Sequence, residues 1–149
     1  MSQALQILFL CTGNSCRSQM AEGWSRLLNG DSVAPFSAGT QPKDLDPRAT
    51  RVMAEVGVDI SGYRPKSVDE VLDVGFDYVV TVCDGAHETC PIFPGRAVIR
   101  HVGFEDPPAL AQNASSEEEA LDIYRRVRDE IRAFVETLPA ALENREAES

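Results

Sequence analysis

Short apolar runs alternate with longer segments along the chain. Residues 5–10 are a nearly continuous apolar run, which is typical of a strand covered on both faces. Residues 77–82 are rich in β-branched residues and predict a central strand, and residues 97–101 predict a shorter one. Residues 32–38 are a fourth candidate, weakened by Pro35 because proline donates no hydrogen bond to a neighbouring strand.

The longer segments carry apolar residues at helical spacing and predict three helices. The first ends at Gly30, and the second begins at Asp46, whose side chain can cap it. The last begins at Ser116, which matches a capping box with Glu119. The polar tail, about residues 140–149, is expected to fray. One apolar stripe runs along the last helix through Leu121, Tyr124, Val127, Ile131, Phe134, Val135 and Leu138.

Strands that alternate with helices predict a single α/β domain over residues 1–149. We expect three layers, in which helices flank a mostly parallel four-stranded sheet. The active site of such a sheet lies beyond the carboxyl ends of its strands. Cys11 follows the first strand, Cys83 follows the third, and Asp106 follows the fourth a few residues later. The sequence therefore predicts that these three side chains converge at one edge of the sheet.

The net charge and the lack of long apolar runs limit the kinds of partner and location that we expect for the protein. The formal net charge of -10 repels polyanions and argues against nucleic acid or an anionic membrane. No run approaches the roughly 20 apolar residues of a membrane helix, and no Lys or Arg precedes the run before Cys11, as a signal peptide would require. We therefore expect a cytoplasmic monomer, in which four cysteines indicate chemistry or metal binding rather than structural disulfides.

The segment CTGNSCRS, residues 11–18, joins the first strand to the first helix. A turn of this kind forms a nest of backbone N–H groups that binds a tetrahedral oxyanion, and the Arg17 guanidinium adds a fork of donors. We expect the same positive field to lower the pKa of Cys11 below its ordinary value of about 8.5, with Ser18 donating a hydrogen bond to the sulfur. The predicted oxyanion-binding loop consists of Thr12, Gly13, Asn14, Ser15, Cys16 and Arg17.

CTGNSCRS resembles the C-x5-R-S phosphate-binding loop of low-molecular-weight protein tyrosine phosphatases, and more closely that of thioredoxin-coupled arsenate reductases. The resemblance covers nearly the whole chain and implies the fold that these two families share. Further similar segments are FSAG at 36–39, VVTVC at 79–83, CPIFPG at 90–95, HVGFEDP at 101–107 and RVRDEI at 126–131.

The resemblance leaves a choice between hydrolysis and reduction. A phosphatase needs Cys11, Arg17 and a general acid, and Asp106 stands at the position of that acid. Hydrolysis has no use for Cys83 and Cys90, whereas the reduction of arsenate requires two electrons from thiols. We therefore expect an arsenate reductase with weak phosphatase activity and with phosphate or sulfate as competing anions. The alternative is a phosphatase that forms a phosphocysteine at Cys11, although the aromatic residue that usually follows its Asp-Pro pair is missing here.

The resemblance also implies the order of the thiol reactions. Cys11 attacks arsenate while Asp106 protonates the departing oxygen. Cys83 then attacks the adduct, which releases arsenite and leaves a Cys11–Cys83 disulfide. Cys90 next attacks Cys83, and thioredoxin reduces the resulting Cys83–Cys90 disulfide.

The spacing of the last two cysteines predicts a conformational change. If the segment from Cys83 to Cys90 is helical, its end α-carbons lie about 10 Å apart, whereas a disulfide requires less than about 7 Å. The segment must then unwind to form the bond. An alternative from another class is a zinc site at Cys83, His87 and Cys90, with Cys11 or Asp84 as the fourth ligand.

One departure concerns a cation site. Some arsenate reductases hold potassium beside the loop with residues that Asn14, Glu22 and Ser37 resemble, together with a carboxylate that is replaced by Lys66 here. We expect the Lys66 ammonium to take the ion's place beside Glu22 and Asn14, unless it is simply solvated. The predicted enzyme therefore uses no potassium, other metal or cofactor, and thioredoxin is its electron donor.

Overall fold

Four parallel strands form the sheet of this computed structural model, which describes residues 4–83 and 97–143. The strands are β1 (Leu5–Cys11), β2 (Val33–Gly39), β3 (Tyr78–Thr81) and β4 (Val98–His101), and their order across the sheet is β2-β1-β3-β4. The helices are α1 (Arg17–Leu28), α2 (Pro47–Glu55), α3 (Pro107–Ala111) and α4 (Glu117–Val135), with a 3-10 turn at Val68–Val71.

The central strand β1 is covered on both faces. Successive side chains of a strand point to opposite faces, and Ile7, Leu8, Phe9 and Leu10 are all fully buried. Helix α1 packs on β1 and β2, and α4 packs against α1, α2 and α3. This arrangement confirms the predicted α/β class with a parallel sheet and agrees with a three-layer fold.

Strand β2 confirms the weakest of the predicted strands. It lies at an edge of the described sheet, where Pro35 stands opposite Ile7 of β1. An edge strand pairs on one side only, so it tolerates the missing N–H of a proline. The position of the strand in the sheet therefore explains how Pro35 is accommodated.

The helix starts agree with the sequence, with one difference. The Asp46 side chain caps α2 by accepting a hydrogen bond from Arg48 N–H, and the Ser116 hydroxyl accepts one from Glu119 N–H. The Glu119 carboxylate, however, accepts from Ser115 rather than from Ser116. Only half of the predicted capping box is therefore formed at α4.

The tail after α4 is ordered further than predicted. Residues 140–143 are helical, and Leu142 is fully buried with its N–H donating to Pro139 at 3.1 Å. The expected fraying from about residue 140 is therefore wrong at its start, because Leu142 anchors this turn in the core. No described helix is both long and apolar enough to cross a membrane.

Candidate active site

The loop between β1 and α1, residues 12–16, is bordered by residues 40–46, which we call the bordering segment. Backbone N–H groups of this segment donate to four carbonyl oxygens at or before the loop, over 2.8 to 3.1 Å. The four donor and acceptor pairs are Thr40 with Cys11, Gln41 with Thr12, Lys43 with Gly13, and Asp46 with Ser15.

These bonds set the direction of the loop's N–H groups. A trans peptide points its N–H opposite to its C=O, so carbonyls held by the bordering segment leave the following N–H groups facing the other way. Among residues 4–83 and 97–143, the N–H groups of Gly13 and Cys16 have no hydrogen-bond acceptor. Several N–H groups that converge at a helix N-terminus attract an anion. The loop therefore has N–H groups available for an anion, and oxyanion binding by the loop stays a prediction.

Gly39 allows β2 to lie directly against this loop. A Cβ atom at Gly39 would lie 2.5 Å from the Thr12 carbonyl oxygen and 2.9 Å from the Asn14 nitrogen. Both are backbone atoms, which cannot move aside as the end of a flexible side chain can. Any residue other than glycine would therefore displace the loop.

The Cys11 sulfur receives two hydrogen bonds. Its Sγ atom lies 2.9 Å from Ser18 Oγ, and Asn14 N–H donates to it at 3.1 Å. The Asn14 side-chain amide donates to Ser18 Oγ at 2.8 Å, so the hydroxyl proton of Ser18 is directed to the sulfur. Asn14 adopts a φ of 51°, a left-handed conformation that asparagine accepts more readily than most residues. The predicted role of Ser18 therefore matches the geometry.

Buried polar groups hold Asn14 in place. Its side-chain oxygen accepts hydrogen bonds from Lys66 N–H at 2.9 Å and from Gln19 at 3.2 Å, and Gln19 also donates to its carbonyl at 3.0 Å. Ser37 Oγ lies 3.2 Å from Gln19 Oε1, while its one hydroxyl proton serves the shorter bond of 2.7 Å to Glu22. Gln19 was not among the residues predicted from the sequence, and the structure shows that it is fully buried. Its only signal in the sequence is a polar residue on the core-facing side of α1.

The cation beside Glu22 is Arg26 rather than Lys66. Glu22 is buried, and its carboxylate accepts from Ser37 Oγ at 2.7 Å and from Arg26 Nε at 2.9 Å. The Lys66 ammonium contacts the Arg64 carbonyl at 3.4 Å and forms no ion pair with Glu22. The expected pairing of Lys66 is therefore absent, because Arg26 follows Glu22 by one helical turn and reaches it first. Lys66 supports the loop through its backbone instead.

Burial controls the acidity of the nucleophile. Burial raises the pKa of the Cys11 thiol, and this effect exceeds the lowering by the hydrogen bonds from Ser18 and Asn14. The predicted lowered pKa is therefore wrong in direction for this structure. The reason is the depth of burial of Cys11, which outweighs the hydrogen bonds that stabilise the thiolate. The Arg17 guanidinium donates to the Phe104 carbonyl at 2.8 Å.

Arg17, Cys83 and Asp106 meet in one cleft of about 610 Å³ beside the loop. Arg17 lies 3.6 Å from the Asp106 carboxylate, which is 47% exposed, and Cys83 Sγ lies 3.4 Å from the Thr12 hydroxyl. Two of the three strand-end side chains that were predicted to converge, Cys83 and Asp106, therefore share this cleft, whereas Cys11 is buried and does not line it. The cleft is lined by Thr12, Arg17, Cys83, Gly103, Phe104, Glu105 and Asp106.

The remaining candidates divide into described and undescribed residues. Cys16 is a buried free thiol, and its burial raises its pKa well above the ordinary value, with the nearby Asp46 charge adding to the effect. Cys90 lies outside the described residues, and so do Asp84 and His87, which belong to the zinc alternative. Within residues 4–83 and 97–143, no cluster of three or more His, Cys, Asp or Glu side chains could hold a metal ion.

Comparisons with known proteins agree on one family. A sequence profile of low molecular weight phosphotyrosine protein phosphatases matches residues 6–148. An arsenate reductase from Bacillus subtilis (strain 168) is 44% identical over 135 residues, covering 88% of this chain and 95% of the relative. A solved arsenate reductase in the phosphate binding state has a TM-score of 0.73 at 30% identity, covering 92% of this chain and 98% of the other. A Corynebacterium glutamicum thioredoxin-dependent arsenate reductase has a TM-score of 0.65 at 29% identity, covering 94% and 64%.

The close approach at Gly39 gives a first test. Gly39→Ala should lower the free energy of unfolding by about 1–3 kcal/mol, as overpacking does, and should weaken phosphate binding because the loop shifts. Gly62→Ala is the matched control, since a Cβ there meets no atom within 4 Å. Urea unfolding and phosphate titration calorimetry measure the two effects. Equal phosphate affinity in the two variants would contradict the assigned role of Gly39.

The hydrogen bond from Ser18 gives a second test. Because that bond lowers the pKa of Cys11 against the effect of burial, Ser18→Ala should move the pH profile of Cys11 alkylation to higher pH. At pH 7 the rate with iodoacetamide should fall about tenfold or more, since a hydrogen bond to a charged group contributes about 1.5–3 kcal/mol. Mass spectrometry measures the alkylation, and a Cys83→Ser/Cys90→Ser background removes the signal of those two thiols. An unchanged profile would show that the serine does not act on the sulfur.

Proposed function

Because this chain belongs to the low molecular weight phosphotyrosine protein phosphatase family, we propose that it is an enzyme of that fold which reduces arsenate to arsenite. The observation that carries this proposal is the second cysteine, Cys83, in the wall of the cleft that also contains Arg17 and Asp106. A hydrolase of this fold needs one thiol as nucleophile, whereas a reductase needs a second thiol that can supply electrons. The arsenate reductases among the similar proteins support the same choice.

In the first step, arsenate binds to the N–H groups of the loop and to the guanidinium of Arg17. The Cys11 thiolate attacks arsenic, and an arsenic–oxygen bond breaks. Asp106 gives its proton to the departing oxygen, which leaves as water. The half-exposed carboxylate of Asp106 can be reprotonated from solvent, and its distance of 3.6 Å from Arg17 leaves it beside the bound anion.

In the second step, the electrons pass to arsenic. The Cys83 thiolate attacks the Cys11 sulfur, a sulfur–sulfur bond forms, and the electron pair of the sulfur–arsenic bond stays on arsenic. Arsenic is thereby reduced by two electrons to arsenite, and the two cysteines are oxidised to a disulfide. The contact between Cys83 and Thr12, whose neighbour is Cys11, supports this transfer because it holds Cys83 next to the loop.

The third step regenerates the nucleophile. Cys90 attacks Cys83, a Cys83–Cys90 disulfide forms, and Cys11 leaves as the free thiolate. A dithiol protein of the thioredoxin class then reduces that disulfide. The C. glutamicum relative that is described as thioredoxin-dependent supports this partner, and with it the cytoplasm as the location of the enzyme.

The same loop gives the enzyme a weak phosphatase activity. A phosphate monoester presents a tetrahedral anion to the loop, so Cys11 can attack phosphorus while Asp106 protonates the leaving alcohol. Proline follows the Asp106-Pro107 pair at position 108, and it offers a phenol ring no aromatic partner. Aryl phosphates are therefore poor substrates, and phosphate and sulfate compete with arsenate.

The relay is tested by arsenate-dependent NADPH oxidation with thioredoxin and thioredoxin reductase. The unaltered enzyme should turn over steadily, whereas Cys90→Ser should stop after at most one turnover because its Cys11–Cys83 disulfide is not passed on. Mass spectrometry without reductant should find Cys11 joined to Cys83 in the stalled variant. Hydrolysis of aryl phosphates without any NADPH oxidation would instead assign the protein to the phosphatases.

We also propose that the enzyme works independently of potassium. Glu22 already pairs with Arg26 at 2.9 Å, and Asn14 is held by Lys66 N–H and Gln19, so these groups do not need a cation. Turnover should be equal in potassium chloride and sodium chloride at the same ionic strength. A severalfold stimulation by potassium alone would refute the proposal.

A further inference from the structure

A second cleft, of about 370 Å³, opens on the other side of the loop. Thr12, Arg17 and Asp106 line both clefts, so the two clefts adjoin beside the loop. Gly13 lies between the two side chains that flank it, because a Cβ at this position would meet Ser15 Oγ at 3.2 Å and Lys43 Cδ at 3.5 Å. Lys43 therefore stands directly over the oxyanion-binding loop.

The Lys43 backbone is fixed while its ammonium is available. Its N–H donates to the Gly13 carbonyl at 2.8 Å, and its aliphatic chain rests against Gly13. The side chain is exposed. Among residues 4–83 and 97–143, no carboxylate lies within the 4.0 Å of an ion pair with this ammonium. Its charge is therefore not neutralised by a partner.

Two of the three carboxylates that line the second cleft contact partners other than Lys43. Asp46 accepts hydrogen bonds from Tyr124 OH at 2.6 Å and from Arg48 N–H at 2.9 Å, and Asp106 faces Arg17. Asp44 is exposed beside Lys43 and forms no ion pair with it within the described chain. Among the described residues, Lys43 and Arg17 are the two cations that line the second cleft, together with the carboxylates of Asp44, Asp46 and Asp106, in a protein whose formal net charge is -10.

We propose that Lys43 is a specificity residue that recruits doubly charged tetrahedral oxyanions to the loop. The inference deepens the proposed function, because it concerns the anion that the same loop binds. A dianion that approaches an acidic protein is repelled at long range and needs a local positive field at the entrance. Lys43 supplies that field at the loop but forms no bond to the reacting sulfur, so it acts on binding and association rather than on the chemical step.

Direct anion binding tests this role without any need for turnover. Lys43→Gln should weaken the binding of inorganic phosphate at pH 8 about three- to tenfold and should flatten its dependence on sodium chloride concentration, because one screened attraction is lost. Lys43→Arg should retain the affinity. At pH 6, where phosphate is mostly singly charged, the difference between Lys43→Gln and the unaltered protein should shrink.

Arg132→Gln is the matched control for net charge. Arg132 is half exposed and pairs with Glu136. On α4 it lies about 12 Å beyond Tyr124, the residue that contacts Asp46 of the second cleft, at about 1.5 Å per residue. This variant should bind phosphate as the unaltered protein does. The inference would be overturned if Lys43→Gln and Arg132→Gln bound phosphate equally well, whether both kept the affinity of the unaltered protein or both lost it to the same extent.

Kinetics separate this inference from the proposed function. With arsenate and the thioredoxin system, Lys43→Gln should raise KM severalfold and leave kcat within about twofold, since the residue acts before the chemical step. A fall in kcat at unchanged KM would overturn the inference. If neither the unaltered protein nor Lys43→Gln reduces arsenate, the proposed function fails. The phosphate measurements still decide the role of Lys43 in that case.

Discussion

The site depends on the hydrogen bonds between the loop and the bordering segment. Four backbone donors in residues 40–46 hold carbonyl oxygens of Cys11 and of the loop, and the peptide planes then turn N–H groups toward the anion site. Buried backbone carbonyls must be paired, so the same bonds that satisfy them also create the positive surface. Gly39 completes this arrangement, since β2 approaches the loop too closely for any side chain.

A chain of buried polar groups transmits this order to the sulfur. Gln19 donates to Asn14, and Asn14 donates to Ser18, which leaves the Ser18 hydroxyl proton for Cys11. Buried polar groups are costly unless every one has a partner. Because Ser18 Oγ accepts from the Asn14 amide, its own proton is left for the sulfur, and the serine hydroxyl has a single orientation rather than a set of competing ones.

The sequence predicts the elements and the loop better than it predicts contacts between distant residues. Periodicity and turn residues identify the strands and the long helices, and the spacing of Cys11 and Arg17 identifies the loop. The bordering segment has no such signature, because its bonds join backbone groups that carry no sequence information. The competition between Arg26 and Lys66 for Glu22 depends on side-chain reach, and the direction of the Cys11 pKa depends on depth of burial. Neither quantity can be read from residue order.

The fold by itself does not decide between hydrolysis and reduction. In the proposed mechanism the loop binds a tetrahedral anion, and both reactions begin with attack by the same thiol and protonation of a departing oxygen. They differ in what approaches the covalent intermediate next. Water can reach it through the open cleft, but Cys83 is already in the wall of that cleft beside Thr12. A second thiol held next to the first reacts with a high effective concentration, so its presence there favours electron transfer over hydrolysis.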